Sequence, residues 1–145
     1  MSAKPAYAFV DTNVLFYAFD ASAGQKKVAA EQLIAQLWDA GTGCLSVQVL
    51  QEFFVTVTRR VAKPLPVDET ADRIRELGAW KVFAPGPNDV LRAIALHTQT
   101  GISFWDAMVV HAAAELGCDV LWTEDLNDGQ VIGGIRIRDP FVPRA

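Results

Sequence analysis

Short apolar runs alternate with stretches of helical periodicity along this chain, and that alternation leaves few ways to fold. Ala6 to Val10 is followed by Asp11-Thr12-Asn13, three good helix-capping residues, and then by Val14 to Phe19, which reads as helix. Lys26 to Ala40 places Val28, Ala29, Leu33, Leu37 and Trp38 near helical spacing, and Gly41 and Gly43 stop it. Cys44-Leu45 is a second short strand, and Ser46 caps a helix from Val47 to about Ala62, ended by Pro64 and Pro66. Val67 to Leu77 is a charged amphipathic helix, Trp80 to Phe83 a third strand, and Asn88 caps a helix running to Gly101. Phe104 to Leu116 is an almost wholly apolar helix, Val120 to Trp122 a fourth strand, Thr123 to Gln130 a polar loop, and Ile135 to Ile137 an edge strand. Strands separated by helices join in parallel, because a parallel connection needs a crossover and the crossover helices cover the sheet. The expectation is one α/β domain over residues 1–145, with a mostly parallel twisted sheet of four to five short strands and helices on both faces.

The 145 residues suffice for one core, and 51% hydrophobic with 21% charged residues is a globular balance. Cys44 and Cys118 each sit in an apolar run, so buried free thiols are expected rather than a disulfide framework or a zinc site. The opening residues Met1 to Tyr7 lack a basic region followed by an apolar stretch, and no apolar run approaches the roughly 20 residues that span a bilayer. The expected compartment is the cytoplasm.

Four acids stand out: Asp11, Glu52, Asp106 and Asp125, none with a Lys or Arg three or four residues away. Asp11 and Asp125 each follow a short apolar strand, at the carboxyl-end rim where ligands of such sheets bind. Glu52 lies in its helix near the end closer to the second strand, and Asp106 in the first turn of its own. Each has an ordinary reading. Asp11 can cap a helix, Ser103 with Asp106 resembles a capping box, Glu52 can be solvated, and turn acids such as Asp125 are common. Three caps in a row exceed the need, however, leaving Asn13 free to hold Asp11 or a water. Which of Glu124, Asp125 and Asp128 faces the rim stays open. His97 and His111 read as helical core or surface residues rather than ligands.

Acids brought together in an apolar setting call for a cation, since an unpartnered buried carboxylate is costly or protonated. Hard oxygen donors without Cys or His favour Mg2+ or Mn2+, ions suited to phosphodiester hydrolysis. The net charge of −4 argues against a polyanionic partner only until such ions are counted, and Lys26, Lys27, Arg59, Arg60 and Lys63 are grouped closely enough to meet a phosphate backbone. There is no phosphate-cradling glycine loop and no Gly-x-Ser-x-Gly elbow.

The stretches Phe9 to Leu15, Ser46 to Phe53, Ser103 to Ala107 and Leu121 to Leu126 together resemble the PIN domain family, and more narrowly its VapC-type ribonuclease toxins. The resemblance implies a Mg2+- or Mn2+-dependent endoribonuclease with Asp11, Glu52, Asp106 and Asp125 as catalytic metal ligands. It also implies RNA as substrate, a cognate antitoxin that inhibits the toxin, and a homodimer. Phe16, Phe19, Trp38 and Phe54 are candidates for an antitoxin groove, with core packing as the alternative. Asp139-Pro140-Phe141 carries Asp where many relatives carry Asn. The rival readings are a catalytically silent binding module on the same fold and a phospho-accepting receiver domain. The second needs a Lys near the last strand, where this chain has Arg136 and Arg138.

Overall fold

The computed structural model describes residues 6–143. Six helices alternate with six short strands: β1 (Ala8–Val10), α1 (Thr12–Tyr17), α2 (Gln25–Ala40), β2 (Gly43–Ser46), α3 (Val47–Arg59), α4 (Val67–Leu77), β3 (Lys81–Phe83), α5 (Pro87–Thr100), α6 (Phe104–Glu115), β4 (Val120–Trp122), β5 (Val131–Ile132) and β6 (Ile135–Arg138). They form one sheet in the order β3-β2-β1-β4-β6-β5, parallel throughout except for the β5–β6 pair.

The connections explain the layers. From β1 through β2 to β3 the chain steps outward in one direction, so right-handed crossovers put α1 to α4 on one face. From β3 it returns past β2 and β1 to β4, which sends α5 and α6 to the other face. In agreement, α6 packs on β2, β4 and β6 with α5 against it, while α1 packs on α2 and α3. The reversal falls between β1 and β4, and a crevice opens there at the strands' carboxyl ends.

The strands are nearly continuous apolar runs because both faces are covered: Phe9, Val10, Leu45, Leu121 and Ile137 are fully buried together with Val14, Val49 and Phe53 from the helices. Cys44 and Cys118 are both buried and free. Among the described residues, no helix is long and apolar enough to cross a membrane.

Three local expectations change. Asn88 is not the cap of α5: Gly86 is, Pro87 takes the first helical position, and the Asp89 carboxylate accepts the Gly86 N–H at 2.8 Å. Proline suits that position because its missing N–H would have no partner there. The last strand, β6, is internal, paired with β4 on one side and β5 on the other. The added two-residue strand raises the count to six, closed onto β6 by Gly133-Gly134, whose φ of 56° and 80° only glycine adopts without strain.

Gly43 carries a packing requirement of its own. A Cβ there would lie 2.5 Å from the Trp80 ring, which packs in turn against Trp38 at a tilt of 43° with ring centroids 5.8 Å apart. Gly43→Ala is expected to cost about 1–3 kcal/mol of stability through overpacking, seen as a lower urea midpoint with an unchanged slope.

Candidate metal centre

Asp11 follows β1 directly and, with φ −75° and ψ 161°, caps α1: its Oδ1 accepts the Thr12 N–H at 2.7 Å. Capping uses one carboxylate oxygen. The other accepts the Thr123 hydroxyl at 2.9 Å, across the crevice from the end of β4. The Thr123 Oγ1 in turn accepts the Asn13 side-chain amide at 3.2 Å and the Asp125 N–H at 3.1 Å. One hydroxyl thus ties three segments together, and with both acceptor sites filled its proton is left to point at Asp11. Asn13 reaches Asp11 only through Thr123, not by the direct bond its place in the sequence suggested, and its Oδ1 also accepts the Glu124 N–H at 3.3 Å.

Asp106 arrives from the opposite face, in the first turn of α6, where Ser103 Oγ accepts its N–H at 3.0 Å. The backbone makes that capping bond, so the Asp106 carboxylate is not consumed by it. Oxygens of Asp11, Asp106 and Asp125 lie within 4.8 Å of one another, a spacing at which one ion can be shared. Glu52 stands outside this trio. Its Oε2 accepts the Thr12 hydroxyl at 2.9 Å and its Oε1 the Gln48 amide at 2.9 Å, so it is held beside the crevice next to the residue that Asp11 caps.

The electrostatics describe a site short of positive charge. Burial raises the Asp11 carboxyl from an ordinary 3.8 to about 7, against the lowering effect of its bonds from Thr123 and Thr12, and the charges of Asp125 and Asp106 add to the rise. Asp125 is also raised, by burial first and then by the charge of Asp106. Among the described residues no Lys or Arg forms an ion pair with Asp11, Glu52, Asp106 or Asp125. An all-carboxylate donor set with one member this deeply buried fits a small hard divalent cation, with Asp11, Asp106 and Asp125 able to hold it directly.

Glu124 and Asp128, which the sequence left as alternatives to Asp125, are engaged elsewhere. Glu124 accepts the Tyr17 hydroxyl at 2.6 Å and pairs with Lys26 at 2.7 Å, and Asp128 accepts the Asp139 N–H at 2.9 Å. Two of the basic residues are engaged in ion pairs, Lys26 with Glu124 at 2.7 Å and Lys27 with Glu31 at 3.0 Å. Arg60 does line a surface hollow of about 320 Å3 with Gln51, Glu52 and Thr56, on the flank of the acidic cluster. His111 is buried and bonded to Asp89 at 2.8 Å, with Glu115 4.0 Å away and taken up by Arg92 at 3.2 Å. The aromatic quartet divides: Phe19 and Trp38 line a groove of about 400 Å3 between α2 and α4, Phe54 lies in an apolar trough between α3 and α4, and Phe16 packs on Tyr17. Thr12 and Thr123, the two hydroxyls that aim the carboxylates, had no sequence signal beyond their neighbours.

A search of curated proteins finds no match. Among solved structures the chain is similar to a toxin–antitoxin complex from Klebsiella pneumoniae (19% identity, 92% of this chain and 98% of that one, TM-score 0.67). It is also similar to VapBC from Salmonella typhimurium bound to DNA (15%, 94% and 99%, TM-score 0.64). A third is VapC20 of Mycobacterium tuberculosis, described as a sarcin–ricin-loop-cleaving toxin (20%, 79% and 86%, TM-score 0.57). At these identities the likeness is one of fold. The PIN domain family model matches residues 8–128, from the first residue of β1 through the turn that carries Asp125, and on that match the chain belongs to the PIN domain family.

Proposed function

We propose that the whole chain is one nuclease domain, a Mg2+- or Mn2+-dependent endoribonuclease acting in the cytoplasm as the toxin of a toxin–antitoxin pair. The observation that carries this reading is the convergence of Asp11, Asp106 and Asp125 at the switch point of the sheet with no basic side chain among the described residues paired to them. A divalent ion bound there would polarise the scissile phosphate and lower the pKa of a water for in-line attack. Asp11, Asp106 and Asp125 would hold it. Glu52, fixed beside them by Thr12 and Gln48, would complete the acidic set at the ion, while Thr123 keeps Asp11 and Asp125 at their spacing. Arg60, beside Glu52, is placed to meet a backbone phosphate.

The toxin role draws on the fold shared with VapBC complexes. An antitoxin segment would lie in the grooves on either side of α4, which expose Trp38 and Val55 to solvent. The exposed Leu91 and Ile94 of α5 and Trp105 at the start of α6 are the apolar surface that a homodimer would cover. A silent binding module on the same fold would have no use for three uncompensated acids in one crevice.

Purified protein freed of partners should cut RNA with Mg2+ or Mn2+ and stop on addition of EDTA. The Arg60→Ala variant should raise the KM for RNA several-fold, a loss of one phosphate contact that grows smaller as salt is added. Cleavage that continues in EDTA would remove the metal from the mechanism.

A further inference from the structure

Beside the acidic crevice lies a second constellation with no ligand role. Glu124, next to Asp125, has both carboxylate oxygens engaged outside the trio: Oε1 accepts the Tyr17 hydroxyl at 2.6 Å, and Oε2 meets Lys26 Nζ at 2.7 Å. Lys26 lies in the first turn of α2 and Tyr17 ends α1, so both partners sit on the face of α1 to α4. The Lys26 ammonium also lies over two rings, 4.8 Å from Tyr17 and 5.2 Å from Phe141, and those rings meet edge to face at 5.2 Å. Phe141 is itself held, its N–H bonded to Asp139 at 2.8 Å, while Asp139 N–H bonds Asp128 at 2.9 Å. The turn carrying Asp125 is therefore gripped from its outer side by three separate segments.

Asp125 needs such a grip. It is exposed, and it is held close to Asp106, whose charge repels it. Its neighbour's side chain is the handle by which the rest of the protein can hold this bend, since Glu124 is bonded to two other segments. We propose that Lys26, Tyr17 and Glu124 form a clamp that positions Asp125 for the ion, Lys26 and Glu124 being positioning residues and not substrate contacts. The clamp's function rests on the metal reading given above; its existence as a mechanical hold does not.

Lys26→Met keeps the stem over the rings and removes the charge, and the sign of its effect is diagnostic. If only long-range charge matters, deleting a cation near an acidic cluster tightens Mn2+ binding. If the clamp positions Asp125, losing its hold on Glu124 loosens it. The expected result is about tenfold weaker binding of Mn2+ by the purified variant, read from the paramagnetic resonance of the free ion, the scale on which groups behind a metal ligand act. Amide hydrogen exchange over residues 123–128 of the metal-free variant should be faster than in the wild type. The KM for RNA at saturating Mn2+ should stay as it is. Mn2+ affinity equal to or tighter than wild type, unchanged exchange in the turn, or a raised RNA KM with Mn2+ affinity intact would each overturn the clamp. Should Asp11→Asn bind Mn2+ as well as wild type, the metal reading fails instead, and the exchange measurement still decides whether Lys26 holds the turn.

Discussion

Asp106→Asn is expected to lower RNA cleavage at saturating Mn2+ by about two to three orders of magnitude, the scale set by losing one preorganised polar group in an active site. The substitution is nearly isosteric, and the capping bond to Ser103 uses the Asp106 backbone N–H, so α6 keeps its first turn. What disappears is one of three carboxylates whose oxygens lie within 4.8 Å of one another. Removing it relieves repulsion on Asp11 and Asp125, both of which are raised in part by Asp106. The metal-free variant should therefore melt at or above the wild-type temperature while gaining less from added Mn2+. An inactive protein that is no less stable separates chemistry from folding. Undiminished cleavage by Asp106→Asn would take the α6 carboxylate out of the reaction.

The architecture was readable because its punctuation is local. Gly41, in the left-handed region at φ 68°, ends α2, and Pro64 and Pro66 lie just beyond α3, so the helices and most strands fall within a few residues of their expected places. The edge of the sheet was not, since a two-residue strand has no periodicity and β5 exists only because the Gly133-Gly134 turn returns the chain onto β6. The acids could be nominated one by one, yet their division of labour depends on contacts remote in sequence. Thr12 meets Glu52 across 40 positions, and Lys26 meets Glu124 across 98. Without the second of these, Glu124 and Asp125 are indistinguishable as neighbours on one polar turn. The same contact pairs the Lys26 ammonium with an acid inside the protein, which sequence spacing could not show.

The metal-free protein should lose stability as pH rises from about 4 to 7, the reverse of the usual acid denaturation. The sign follows from Asp11. Its carboxyl is raised to about 7 in the folded chain against 3.8 when unfolded, so between those values the folded state holds a proton that the unfolded state has released, and folding weakens as pH climbs. Fully developed, that difference is on the order of 4 kcal/mol at most, about 10 °C in melting temperature for a chain of this size. Asp125, raised in the same direction, adds to the trend. Asp89 opposes it only at the acid end: His111 holds its carboxyl below the ordinary value, so its contribution is present above that value and is lost on acidification. A divalent ion reverses the argument, because it must displace the Asp11 proton, and its apparent affinity should rise up to about tenfold per pH unit below 7 and level off above. Thermal melts from pH 5 to 8, with and without saturating Mn2+, test both halves together: a falling curve for the metal-free protein, a flatter one with the ion, and a flattened metal-free curve for Asp11→Asn. If the wild-type melting temperature holds steady over that range and Mn2+ affinity ignores pH below 7, then Asp11 is ionised without help, and the crevice does not need the cation that its burial calls for.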